Sequence, residues 1–357
     1  MRTILISAAL LLLLACVPAW AQWQPQESHS KESLRGVSVV SAKEVWASGT
    51  HGTYLVTTDG GLHWTAARVP GAEALDFRDV EAFGDTAYLL AAGPGEQSRI
   101  YKTRDRGAHW ELQFTDHEPK GFLDCMSFWD KQHGIAVGDP VGGRFQLLRT
   151  SNGGRSWQPL AQPPAALQGE ALFAASGTCI ATQGAKNVWF ATGGAAARVF
   201  RSRDRGLSWQ AAETPIVHGS ASSGIFSVAF RDARHGVIAG GDYQHPEQGG
   251  ANLALTQDGG ASWRLAGVAP QKYFSAIVYL LEDGGLAVVG SSATAFSEDN
   301  LKSWVFLLPD GFNALASRPS LGVGWAVGPN GRIAKARFGP CGAPCRQRAA
   351  QEQEENR

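Results

Sequence analysis

The chain has 357 residues, with 32 basic and 32 acidic side chains, 43 glycines, 12 tryptophans and only 2 methionines. Balanced charge builds no positive field, which argues against nucleic acid as a partner, and the length allows one large domain or two ordinary ones. So much glycine and tryptophan, with apolar runs that rarely exceed six residues, suits short strands and tight turns and predicts an all-β protein.

Residues 1–21 read as an export signal: Arg2, an apolar run from Ile4 to Ala15, then Pro18, Ala19 and Ala21 before Gln22. Leu13-Leu14-Ala15-Cys16 also fits a lipoprotein box, in which Cys16 would carry lipid and head the mature chain. Both readings place the protein outside the cytoplasm, periplasmic or secreted in the first case and lipid-anchored in the second. No other segment reaches the ~20 apolar residues of a membrane span.

From here a box of the form S/T-x-D-x-G-x-x-W recurs along the chain. It occurs as TTDGGLHW (Asp59, Trp64), TRDRGAHW (Asp105, Trp110), TSNGGRSW (Asn152, Trp157), SRDRGLSW (Asp204, Trp209) and TQDGGASW (Asp258, Trp263). A sixth copy, SEDNLKSW (Asp299, Trp304), has Leu301 in place of glycine. Successive tryptophans lie 46, 47, 52, 54 and 41 residues apart, close to the ~40–50 of a four-stranded propeller blade. Three strand-like runs precede each box, as in FLDCMSFWD, GIAVGD and FQLLRT before Asn152, and a fourth begins at the tryptophan. After the sixth box come FNALAS, GWAVG and GRIAKARF, three strands with no box behind them. The missing fourth is assigned to WQPQES at Trp23–Ser28, whose Trp-Gln matches Trp157-Gln158 and Trp209-Gln210. The expected architecture is a seven-bladed β-propeller over residues 22–338, a monomer closed by its own N-terminal strand, followed by a disordered tail over 339–357. Ring closure removes exposed sheet edges.

The box aspartates are expected to fasten turns, each accepting backbone N–H groups two residues on while the glycine supplies positive φ. Asn152 in the third copy shows that an acceptor suffices and a charge is not required. Arg104, Arg106, Arg155, Arg203 and Arg205 beside the turns read as a solvated rim, the functional alternative being an acidic partner docking on that face. Cys125 and Cys179 fall at matching places in adjacent units and are expected to be buried and unbonded, because neighbouring first strands should stand too far apart for a bridge. Cys341 and Cys345 could close a small loop.

The boxes resemble the Asp-box, or bacterial neuraminidase repeat. Together with GTHGTYLVTTDGG, GGDY and the closing GWAVGPNGRI, they make the chain similar to the photosystem II stability and assembly factors from Trp23 to about Phe338. That resemblance implies a non-catalytic scaffold gripping a protein partner in the cell envelope through arginines, with no cofactor. The Asp-box alone fixes fold better than function.

In a propeller the first strands line the channel, and the loops opposite the boxes carry binding chemistry. Reading off those loops in the third to fifth units gives Asp124, Asp139, Arg144, Glu170, Arg198, His218, Ser222, Asp242 and Tyr243 as candidates for one side of the channel mouth. An enzyme is the competing class. A glycoside hydrolase would draw a carboxylate pair from Asp139, Glu170 and Asp242, and a sialidase-like enzyme would use Tyr243 with Glu247. HExxH, P-loop, nucleophile-elbow and dinucleotide motifs are absent, as is any metal-ligand spacing. A third class is a carbohydrate or small-ligand module stacking on Trp46, Trp129, Trp189 or Trp325, positions that also suit a core.

Overall fold

The computed structural model describes residues 23–338 apart from 283, 298, 300, 309 and 310. The export signal, Cys16, the C-terminal tail and Cys341 with Cys345 lie outside them. Seven antiparallel sheets surround one axis, so the seven-bladed expectation holds. Blade 1 is representative: Leu34–Val39 lies innermost, then Val45–Gly49, Thr53–Thr57 and Thr65–Arg68 at the rim. Its two middle strands are buried at every position, whereas the rim strand is largely exposed. That burial explains why middle strands read as continuous apolar runs: both faces pack against neighbouring blades. Seven apolar clusters fill the structure, one between each pair of adjacent blades.

The ring closes as the terminal repeats suggest. Gln24–Gln26 pairs antiparallel with Ile333–Arg337, Gln24 opposite Lys335 and Gln26 opposite Ile333. Trp23 is buried against Phe312 and Phe338, at centroid distances of 6.4 and 6.0 Å. The Gln26 amide ties the seam. Its Oε1 accepts from Trp64 Nε1 in blade 1 (3.0 Å) and Trp325 Nε1 in blade 7 (3.2 Å), and its Nε2 donates to the Gly60 carbonyl (3.2 Å).

The boxes differ in detail from an Asx-turn. Asp59 Oδ1 accepts the backbone N–H of His63, four residues on, at 3.0 Å, and the Thr57 hydroxyl accepts that of Gly61 at 2.9 Å. Asp105, Asp204, Asp258 and Asp299 repeat this four-residue reach, and Asn152 does so with its amide oxygen onto Ser156 N–H at 3.0 Å. The expected reach of two residues is therefore corrected: the turn is wider, and the leading Ser or Thr satisfies the glycine N–H. Leu301 itself takes φ 69° in the degenerate copy, and its buried side chain joins the core between blades 5 and 6. Trp64 and Trp157 are sealed beneath their turns, while Trp110, Trp209, Trp263 and Trp304 remain half-buried. The turns also bolt blades together. Tyr54 of blade 1 donates to the Gly107 carbonyl of blade 2, Tyr88 to Gly153 of blade 3, and Trp189 to Gly259 of blade 5.

Cys125 and Cys179 form a disulfide, with Cα atoms 6.1 Å apart. Both are buried as expected, but the unbonded reading was wrong about distance. The innermost strands converge at the axis closely enough for Ser127 and Thr182 of blades 3 and 4 to share a 3.0 Å hydrogen bond, so a bridge is within reach. A second departure sits on the same side of the ring. Glu170–Ala171 and Gly193–Gly194 add two short strands to the inner edge of blade 5, through Gly193 opposite Gly224. A Cβ on Gly224 would come within 2.2 Å of the Gly193 Cα, so the bare backbones are what allow this approach.

Candidate functional site

The inner strand of four blades carries a β-bulge at the same register. Pairing shifts between Leu34 and Gly36, Phe77 and Asp79, Leu123 and Cys125, and Ile225 and Ser227. A bulge re-aims the residue it skips. Those residues are Arg35, Arg78, Asp124 and Phe226, and all four line one cavity of 460 Å³ at the channel mouth, opposite the Asp-boxes. Asp139, within the second strand of blade 3 (Gly134–Val141), and Tyr243, just past that of blade 5 (Gly236–Asp242), complete its wall together with Phe173, Tyr273, Ser275 and Asn313.

The polar groups of this cavity are incompletely paired. Arg78 is held by Asp76 (Nε to Oδ2, 2.6 Å) and by the Ala174 carbonyl (2.9 Å). Arg35 has no such anchor among the described residues: its Nε is buried without an acceptor, and burial, then the nearby Arg78 charge, brings its guanidinium down to about 10. Asp124 is 1% exposed and its Oδ2 is likewise buried without a partner. Burial, reinforced by the neighbouring Asp139, pushes its carboxyl well above the usual range. Burial also raises Asp139, whose Oδ1 accepts the Leu172 N–H at 2.8 Å. A carboxyl kept neutral can donate a hydrogen bond as well as accept one. Tyr243, 47% exposed, stands edge-on to Phe226 and Phe173 at the entrance, with centroids 6.1 and 6.3 Å away.

Of the nine candidate residues, Asp124, Asp139 and Tyr243 reach the cavity. Asp242 and Ser222 sit beside it. Burial raises the Asp242 carboxyl, but the Ser222 hydroxyl, His245 and the Gln244 N–H outweigh that and hold it low. Glu170 and Arg198 face each other: Arg198 Nε donates to Glu170 Oε1 at 2.9 Å and its Nη2 to Oε2. Thr192 Oγ1 at 2.6 Å and Leu167 N–H at 2.8 Å occupy the remaining acceptor sites of Glu170, so the pair organises its loop. Arg144 donates to the Pro163 carbonyl (2.7 Å) on a separate groove between blades 2 and 3. His218 is exposed, its Nδ1 2.8 Å from the Ile216 carbonyl oxygen. Arg35 and Arg78 were missed, although LRGV and FRDV align with LDCM and put them in register with Asp124. Trp46, Trp189 and Trp325 are buried and Trp129 is partly buried, donating to the Asn187 carbonyl at 2.7 Å, so none offers a stacking platform. Among the described residues no cluster of three or more His, Cys, Asp or Glu suits a metal ion, and no helix is long and apolar enough to cross a membrane.

No family model matches the chain. Its sequence is similar to the photosystem II assembly lipoprotein Ycf48 of Synechococcus sp. (strain CC9902), 25% identical over 310 residues that cover 80% of this chain and 76% of that one. The photosystem II assembly protein Ycf48 of Synechococcus sp. (strain JA-2-3B'a(2-13)) is 23% identical over 308 residues, 74% of this chain and 85% of its own. Among solved structures, YCF48 bound to D1 peptide superposes with a TM-score of 0.63 at 15% identity, covering 89% of this chain and 97% of that one. YCF48 from Cyanidioschyzon merolae gives 0.63 at 16%, covering 88% and 98%. A GH74 xyloglucanase from Xanthomonas campestris gives 0.59 at 17%, covering 88% of this chain and 53% of its own, a likeness of fold alone. The resemblance to the photosystem II assembly factors is thus one of sequence over most of the chain and of fold around the whole ring.

Proposed function

We propose that this chain is an exported, non-catalytic propeller that holds a segment of a protein client against its channel-mouth face. The observation that carries the reading is the bulge register, which turns one residue from each of four blades into a single cavity and leaves Arg35 Nε and Asp124 Oδ2 without partners there. Unpaired buried polar atoms on a rigid scaffold are complementary to something that is bound. The sequence likeness to assembly factors supports a protein as that something, as does a structural neighbour described as bound to a peptide. The relative named as a lipoprotein favours the Cys16 reading of the N-terminus. Engagement of Glu170 by Arg198 weighs against a hydrolytic pair with Asp139.

The test is affinity capture from native envelopes with the full chain and with an Arg35→Glu/Arg78→Glu variant that retains the wild-type melting temperature. The expected result is a client retained by wild type and lost by the variant. Equal recovery by both would place binding elsewhere and overturn the proposal.

A further inference from the structure

We propose that the channel-mouth cavity is a site for one carboxylate, gripped by Arg35 and Arg78 and capped by a proton resident on the Asp124–Asp139 pair. The inference rests on the client-binding reading for its biological ligand, but its chemistry stands on the cavity alone.

Five blades and one connector set the charge balance. Blade 1 brings Arg35, whose Nε–H has no acceptor. Blade 2 brings Arg78 with its partner Asp76. Blade 3 supplies Asp124 and Asp139, and the connector into blade 4 turns the Ala174 N–H toward Asp124. Blades 5 and 6 add the phenols of Tyr243 and Tyr273, the latter kept neutral by burial. Neither arginine forms an ion pair with Asp124 or Asp139 among the described residues, although all four side chains line the same 460 Å³. Asp124 is buried and Asp139 half-buried in one cavity wall; burial opposes the ionisation of both, and the Asp139 charge adds to it at Asp124, so a proton stays on the two acids. With that proton in place Arg35 and Arg78 balance Asp76 and the one remaining carboxylate, and of the two arginines only Arg35 forms no ion pair among the described residues. An entering carboxylate accepts from the Arg35 guanidinium on one side and from the Asp124 O–H on the other. No bond is made or broken. When the proton leaves to solvent, the cap becomes a like charge and repels the ligand.

Acetate is the simplest probe, measured by calorimetry on the full chain from pH 6 to pH 9, where acetate itself stays ionised. Wild-type affinity is expected to fall as pH rises, by up to about tenfold per unit for a single coupled proton. Asp124→Asn, whose amide donates at every pH, should bind with a flat profile. Arg35→Gln should lose at least about tenfold throughout, with Arg35→Lys as a milder variant if glutamine disturbs folding. Wild-type affinity that is flat or rises with pH, a retained slope in Asp124→Asn, or unchanged binding in both Arg35 variants would overturn the proposal. Short N-acetylated peptides then identify the source of the carboxylate. Displacement of acetate by a peptide with a free C-terminus but not by its amide points to a chain end, and displacement by an amidated peptide with an internal Glu points to a side chain. Either pattern supports the site, and equal displacement by a neutral amidated peptide refutes it. Acetate binding with no captured client would leave this site standing and remove the scaffold reading; the converse outcome would do the opposite.

Discussion

Two sets of carboxyls in this molecule titrate in opposite senses. In the Asp-boxes, the backbone N–H and ring of His109 hold Asp105 down to about 2, and the hydroxyl and N–H of Ser303 do the same for Asp299. Asp204 and Asp258 reach about 2 although burial opposes it, because the Ser208 and Ser262 hydroxyls and N–H groups outweigh it. A depressed folded value means stability that is present above the ordinary carboxylate range, near pH ~4, and lost as pH falls through about 2. Inside the channel the direction reverses. Burial pushes up Asp79, Glu81, Asp124 and Asp139, despite the 2.7 Å hydrogen bond from Met126 N–H to Asp79. Their contribution is complete below about pH 4 and drains away as pH rises toward their raised values. Melting temperature against pH is therefore expected to peak between about pH 4 and 5 rather than at neutrality. Asp79→Asn keeps an oxygen for Met126 N–H and should flatten the neutral limb. Melts recorded from pH 2 to 9 check both points, and a maximum above pH 7 would contradict the assignment.

At the scale of the element, the strand Gln24–Gln26 is only three residues long, yet it is the rim of blade 7 and the seam of the ring. Its worth lies in what it satisfies. Gln26→Ala strips the acceptor from the Nε1 atoms of Trp64 and Trp325 at once, a loss of about 1–3 kcal/mol for each group left buried and unpaired. Deleting residues 23–28 also uncovers Phe312 and Phe338 and reopens an edge at Ile333–Arg337. Equilibrium unfolding should rank wild type above Gln26→Ala and both above the deletion. A deletion as stable as wild type would mean that the ring does not depend on its terminal strand. On the far side of the ring the Cys125–Cys179 bridge joins the inner strand of blade 3 to the residue just before that of blade 4, across a sequence separation of 54. It fixes the strand that carries Asp124, so the staple also steadies the cavity wall.

At the scale of the molecule, the blades were legible because repetition is a strong signal: the same Asp, Gly and Trp return in frame, and the missing seventh box points back to Trp23. The disulfide was not legible, since it depends on how closely inner strands converge, a distance no local pattern encodes. The site was legible in part. Loop position identified Asp139 and Tyr243, and Asp124 came from an inner strand. Glu170 and Arg198 looked equally placed, but they neutralise one another in a contact spanning 28 residues. Arg35 and Arg78 were overlooked because loop composition directed the reading to blades 3–5, whereas a bulge repeated in register brings blades 1 and 2 to the same cavity.

Function on the face opposite the Asp-boxes is tested by putting a photo-crosslinking side chain at Tyr243 on the channel-mouth face or at Leu207 on the Asp-box face, both exposed, and irradiating native envelopes. One discrete adduct is expected from position 243, suppressed by Arg35→Glu, and none from position 207. The same adduct from position 207, or an adduct at 243 indifferent to Arg35, would contradict it.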